Sequence, residues 1–88
     1  MKTRFRESFE KDLKKVRDQK VKDAVKKVIE AAENSSSLSE LGDVKKLKGT
    51  SGYYRIRIGN YRIGVEIKGN TIEFIRCLDR KEIYRYFP

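Results

Sequence analysis

Eighty-eight residues with 22 Lys and Arg against 13 Asp and Glu give one domain, 1–88, of net charge +9 and pI near 9.8. So short a chain buries roughly 60–65% of its unfolded surface, which leaves room for one modest core and for no separate substrate domain. With no His and a single cysteine, Cys77, a His/Cys metal centre, a Ser-His or Cys-His nucleophile pair and an internal disulfide are excluded.

Lys2 to Arg6 reads as a brief strand. From about Ser8 the period changes, and Phe9, Leu13 and Val16 form one stripe of a helix. Asp18 suits an N-cap. Val21, Ala24, Val25, Val28, Ile29 and Ala32 then make a second stripe, through about Glu33, which "NSSS" ends. The short break between the stripes predicts a helical hairpin with antiparallel helices. Leu38 to Val44 reads as one helical turn capped by Ser37 or Ser39, and "KKLKGTSG" as a basic turn. "YYRIRIGNYRIGVEI", Tyr53 to Ile67, alternates with period two on either side of Gly59-Asn60, which is hairpin chemistry. A third strand is expected from Thr71 to about Leu78, and "DRKEIYRYFP" reads as a last helical turn closing over the sheet edge. The N-terminal stretch lacks the apolar run of a signal peptide, and no segment is apolar for long enough to span a bilayer. Cytoplasmic placement is the expectation.

The order β-α-α-β-β-β predicts an α+β fold, with an N-terminal strand and a two-helix hairpin packed on one face of a small antiparallel sheet. Tyr54, Ile56 and Ile58 with Ile63, Val65 and Ile67 supply the apolar face for the helices. Tyr53, Arg55, Arg57 and Arg62 fall on the other face. From Lys45 to Arg62 there are six basic residues and no acidic one: Lys45, Lys46, Lys48, Arg55, Arg57 and Arg62. Tyr53, Tyr54 and Tyr61 are interleaved, and the tail adds Arg80, Lys81, Tyr84, Arg85 and Tyr86. Arginine grips phosphate in a bidentate fork, and a tyrosine ring can stack an unpaired base. The simpler reading is that arginines keep an exposed strand soluble and unpaired. RNA carries its own nucleophile, the 2′-hydroxyl, so its cleavage needs cations, a proton acceptor and a proton donor, with no cofactor or metal. A tyrosine or a lysine serves in proton transfer only among cationic neighbours.

The same residues resemble the RelE-like toxins of bacterial and archaeal type II toxin–antitoxin pairs. The resemblance covers nearly the whole chain and is most specific in "KLKGTSGYYRIRIGNYRIGVEI" and "FIRCLDRKEIY". It implies cleavage of mRNA, usually in the ribosomal A site, and a cognate antitoxin that covers the toxin. By its pattern, Arg55 and Arg57 match two basic residues on the first hairpin strand, Arg62 an arginine on the second, and Arg80 and Tyr84 a basic residue and a tyrosine of the tail. Lys46 and Lys48 resemble lysines that grip RNA at the loop. Asp79 stands where many relatives have histidine, and Arg55 and Arg57 replace lysines that some relatives carry.

The reading that follows is a ribosome-dependent mRNA endonuclease acting by metal-independent 2′-hydroxyl attack. Arg62 and Arg80 are expected to stabilise the phosphate transition state, Arg55 and Arg57 to hold the backbone, and Tyr84 to take part in proton transfer. Lys45, Lys46, Lys48, Lys81 and Arg85 would bind RNA, with Tyr53 or Tyr61 stacking a base. The expected partners are mRNA, the ribosome and an acidic antitoxin that folds on binding. The alternatives are a ParE-like, non-enzymatic inhibitor of DNA gyrase and a degenerate member that only binds.

Overall fold

Alternation in the second half of the chain builds the frame, and two amphipathic helices cover one side of it. The computed structural model describes residues 1–88. Strand β1 (Lys2–Phe5) leads into helices α1 (Glu7–Lys15) and α2 (Gln19–Asn34) and a 3₁₀ turn (Leu38–Leu41). Strands β2 (Asp43–Lys46), β3 (Tyr53–Ile58), β4 (Tyr61–Lys68) and β5 (Thr71–Asp79) follow, then a short helix α3 (Ile83–Tyr86). The sheet order is β1-β5-β4-β3-β2; β1 runs parallel to β5 and the other pairs are antiparallel. The fold is α+β, in the expected order of elements.

Three features differ from the reading of the sequence. Lys45 and Lys46 lie in a strand, β2, rather than in a turn: Gly42, at φ 101°, ends the 3₁₀ turn, and Asp43 to Lys46 then pair with Arg57 to Tyr54. β1 is an edge strand of the sheet, which makes the sheet mixed. The tail lies over the middle of the sheet's outer face rather than over its edge.

The inner face and the helices form the main core. Ile56, Ile63, Val65, Ile72, Phe74 and Cys77 from the sheet meet Phe9, Val25, Val28 and Ala32 from the helices and Val16 from the link between them. Asp18 caps α2 as expected, its carboxylate accepting from Lys20 N at 2.9 Å. The β3–β4 loop has two residues; Gly59 takes φ 61°, the first position of a primed hairpin turn. A bulge interrupts the β4–β5 ladder, because Gly64 pairs with Arg76 and Val65 with Phe74, leaving Ile75 extra. Ile75 therefore turns to the outer face, where it is buried with Ile83 and Phe87. Its carbonyl accepts from Ser8 Oγ of α1 at 2.6 Å.

Candidate nucleic-acid interface

Register alone places the arginines of the outer face. Arg57 lies directly across from Arg62, and Arg55 lies between Lys45 and Gly64. Cross-strand neighbours share a face with their side chains about 4.5–5.5 Å apart at Cβ, so Lys45, Arg55, Arg57 and Arg62 form one cationic patch. Asp43, across from Arg57, approaches it only to 4.0 Å. Gly64 leaves a gap in the row, and Phe87 fills it: a Cβ on Gly64 would stand 2.6 Å from the Phe87 ring. Phe87 and Ile83 are thus buried on the outer face with Ile75, and α3 is fixed beside the arginines.

This anchoring brings Tyr84 to Arg55. Arg55 Nε donates to the Tyr84 phenol oxygen at 2.8 Å, and Tyr84 remains 59% exposed. The phenol's own hydrogen is left free for another acceptor. Arg55 Nη1 is buried without a hydrogen-bond partner. An unpaired buried donor is costly. Arg62 Nη1 donates to the carbonyls of Gly59 at 2.8 Å and Tyr61 at 2.9 Å, which holds the guanidinium beside the hairpin turn. Burial first, then the charges of Arg55, Arg57 and Arg80, lower the pKa of Arg62 from the ordinary arginine value; Tyr84 opposes them. Arg80 is tied to the same turn by its backbone, its N–H donating to the Asn60 carbonyl at 2.8 Å. The five candidate catalytic residues, Arg55, Arg57, Arg62, Arg80 and Tyr84, therefore lie close together on one side of the surface.

Other candidates are distributed less simply. Lys45, Lys46 and Lys48 line an open cleft of about 480 Å³ with Thr50, Tyr84 and Phe87, adjoining the patch. Lys81 and Arg85 are exposed on the tail, where Arg85 lies 3.9 Å from Glu82. Two expectations need correction. Tyr61 pairs with Ile58 and packs against the main core, so it faces the helices and cannot stack a base beside Arg62. Tyr53 is on the outer face, but its half-buried ring packs against the tail, in a T-shaped contact with Phe87 at a centroid distance of 5.8 Å, and is not a free platform. Asp79 closes the turn into α3: its carboxylate accepts from Lys81 N at 2.8 Å and its carbonyl from Glu82 N at 2.8 Å.

One group escaped the sequence reading. Asp12, on the buried side of α1, is 5% exposed and takes Arg76 in a two-pronged bond, at 2.8 Å to Nε and 3.1 Å to Nη2; it also accepts from Cys77 N at 3.0 Å. The hydrogen bond to Asp12 raises the pKa of Arg76, against the effect of burial. An acidic residue between Phe9 and Val16 in an apolar stripe was the available signal.

Comparison with known proteins supplies the family. The family described as "ParE toxin of type II toxin-antitoxin system, parDE" matches residues 3–84. The chain belongs to this family, as a RelE-like toxin. It is 53% identical over 89 aligned positions to Toxin RelE3 of Methanocaldococcus jannaschii, covering all of both chains. It is 36% identical over 73 positions to Putative toxin RelE1 of the same organism, covering 82% of this chain and 80% of that one. Among solved structures, the toxin resembles a chain of the RelB-RelE antitoxin-toxin complex from Methanococcus jannaschii: TM-score 0.84, 50% identity, 97% of this chain and 99% of that one. The isolated RelE toxin of E. coli shares the fold at 21% identity and TM-score 0.66, over 96% of this toxin and 90% of that chain.

Proposed function

We propose that this toxin is a ribosome-dependent mRNA endonuclease of the cytoplasm, held in check by an antitoxin. The observation that carries the reading is the convergence of Arg55, Arg57, Arg62, Arg80 and Tyr84, with Arg55 Nε bonded to the tyrosine and its Nη1 unpartnered. The 2′-hydroxyl oxygen attacks the adjacent phosphorus, the P–O5′ bond breaks, and a 2′,3′-cyclic phosphate and a 5′-hydroxyl result. Negative charge grows on the phosphoryl oxygens, which Arg62 and Arg80 stabilise while Arg55 and Arg57 hold the backbone. Tyr84, the one member of the cluster that is not an arginine, takes part in proton transfer. None of these groups imposes the in-line geometry on free RNA, and orientation by the ribosome supplies it; such positioning is worth up to ~7–11 kcal/mol in ideal cases.

The antitoxin reading rests on charge and on relatives. A +9 surface with the half-exposed rings of Tyr84 and Tyr86 suits an acidic, amphipathic segment that folds on binding. The solved RelB-RelE relative is an antitoxin-toxin complex.

The test is cleavage of a defined message on programmed ribosomes, with free RNA and EDTA controls. Wild type is expected to cut in the A site and leave cyclic-phosphate ends with or without EDTA. Arg62→Ala is expected to be slower by about 10²–10³-fold. The family's ParE description supports a second reading, inhibition of DNA gyrase. Loss of supercoiling with no RNA cut would favour it.

A further inference from the structure

We propose that Arg76, clamped by Asp12, is a positioning residue that sets Tyr84 for the reaction by holding Tyr86; the proposal rests on the cleavage reading above. Beyond Phe74, β5 has no strand on its β1 side, because β1 pairs only with Thr71 to Phe74. The bulge at Ile75 falls at this point, and the next residue, Arg76, meets α1 from one side of the sheet and α3 from the other. Asp12 grips two nitrogens of the guanidinium, and its contact with Cys77 N fixes the carboxylate in turn. Removing such a pair from water costs about as much as it returns, so stability alone is a weak reason for it. Its geometric result is a guanidinium of set plane and position, with the Tyr86 ring 5.4 Å from its central carbon. That is cation–π distance.

The tail helix needs such a hold. α3 has four residues and is anchored underneath at its two ends, by Ile83 at its start and by Phe87, the extended residue that caps it, which are buried together against Ile75. Two anchors in line fix its place but leave rotation about that line. With ~100° between successive residues, Tyr84 and Tyr86 project on opposite flanks of the anchored face. Arg76 holds the Tyr86 flank and Arg55 Nε meets the Tyr84 flank at 2.8 Å. Rotation that released Tyr86 would carry the Tyr84 oxygen away from Arg55.

Tyr86 is 54% exposed, so its replacement leaves both cores intact. The variants are Tyr86→Leu, Tyr86→Phe, Tyr84→Phe and the Tyr84→Phe/Tyr86→Leu double. Two readouts apply: kcat and KM for cleavage on programmed ribosomes, and solvent exchange of the Arg55 Nε–H by NMR in the free toxin. Tyr86→Leu is expected to lower kcat on the order of ten- to a hundredfold with KM unchanged, and to speed Nε–H exchange. Tyr86→Phe keeps the ring and should restore both. The double variant should be no slower than Tyr84→Phe alone. Wild-type values in Tyr86→Leu, equal defects in Leu and Phe, a change in KM instead of kcat, or additivity with Tyr84→Phe would each overturn the proposal. If wild type cuts no RNA, the cleavage reading fails by itself, and the role of Arg76 in catalysis falls with it; faster exchange in Tyr86→Leu would then show the clamp to be structural only.

Discussion

Arg62 and Cys77 show what single residues owe to their surroundings. Arg62 is held by two carbonyls of its own hairpin in a field of like charge, and Arg57 and Arg62 stay side by side because the strand register leaves them no choice. The arginines were legible in the sequence because period-two alternation fixes their face; the same alternation puts Tyr61 on the opposite, helix-covered face from Arg62, and assigning it to the RNA went against that pattern. Cys77 is the opposite case, a small core side chain. Burial first, and then the nearby Asp12 carboxylate, push its thiol from an ordinary 9.0 up to about 12. It should resist thiol reagents at pH 8 in the folded toxin and react at once in denaturant, as a timed labelling assay would show. The sign of the pH effect follows. The unfolded thiol ionises from near 9, whereas the folded one stays protonated until about 12. The stability linked to Cys77 is therefore full below pH 9 and is lost as pH rises between these values, which urea titrations across that range would detect.

Among the elements, the tail depends most on a residue with no side chain. Gly64 leaves the space that Phe87 occupies, and with it the seat of α3. Gly64→Ala should cost about 1–3 kcal/mol through overpacking and lower RNA cleavage further than that loss of folded protein explains; a denaturant curve beside a rate measurement separates the two. Asp12 ties α1 to β5 from the other side. Asp12→Ala leaves Arg76 and the Cys77 N–H without their acceptor and should cost about 1–3 kcal/mol, read from the same curves. The stripes of α1 and α2, the β3–β4 hairpin and β5 were legible because each is long enough to show its period. β2 was not, since four residues of which three are exposed and charged carry almost no pattern and become a strand only through pairing with β3. The Asp12–Arg76 pair joins residues 64 positions apart, and no local rule connects them.

At the scale of the whole molecule, charge and topology govern behaviour. Lys45, Arg55, Arg57, Arg62 and Arg80 offer five cations to one polyanion. For a single-stranded RNA that contacts four or five of them, the slope of log affinity against log salt should be about −3. Arg57→Ala should reduce its magnitude by about 0.7; fluorescence anisotropy over a salt series gives both. The sheet's connectivity has a different kind of consequence, one of timing. β1 pairs with residues 71–74 of β5, so the first strand made must wait for the last. Helices α1 and α2 and the β3–β4 hairpin involve near neighbours and can form early, whereas the parallel closure is a long-range step, slow by nature. A ribosome part-way through the message thus carries the arginines of β3 and β4 without β5 to close the sheet or α3 to bring Tyr84 to them. The toxin comes into being only when its synthesis is nearly over.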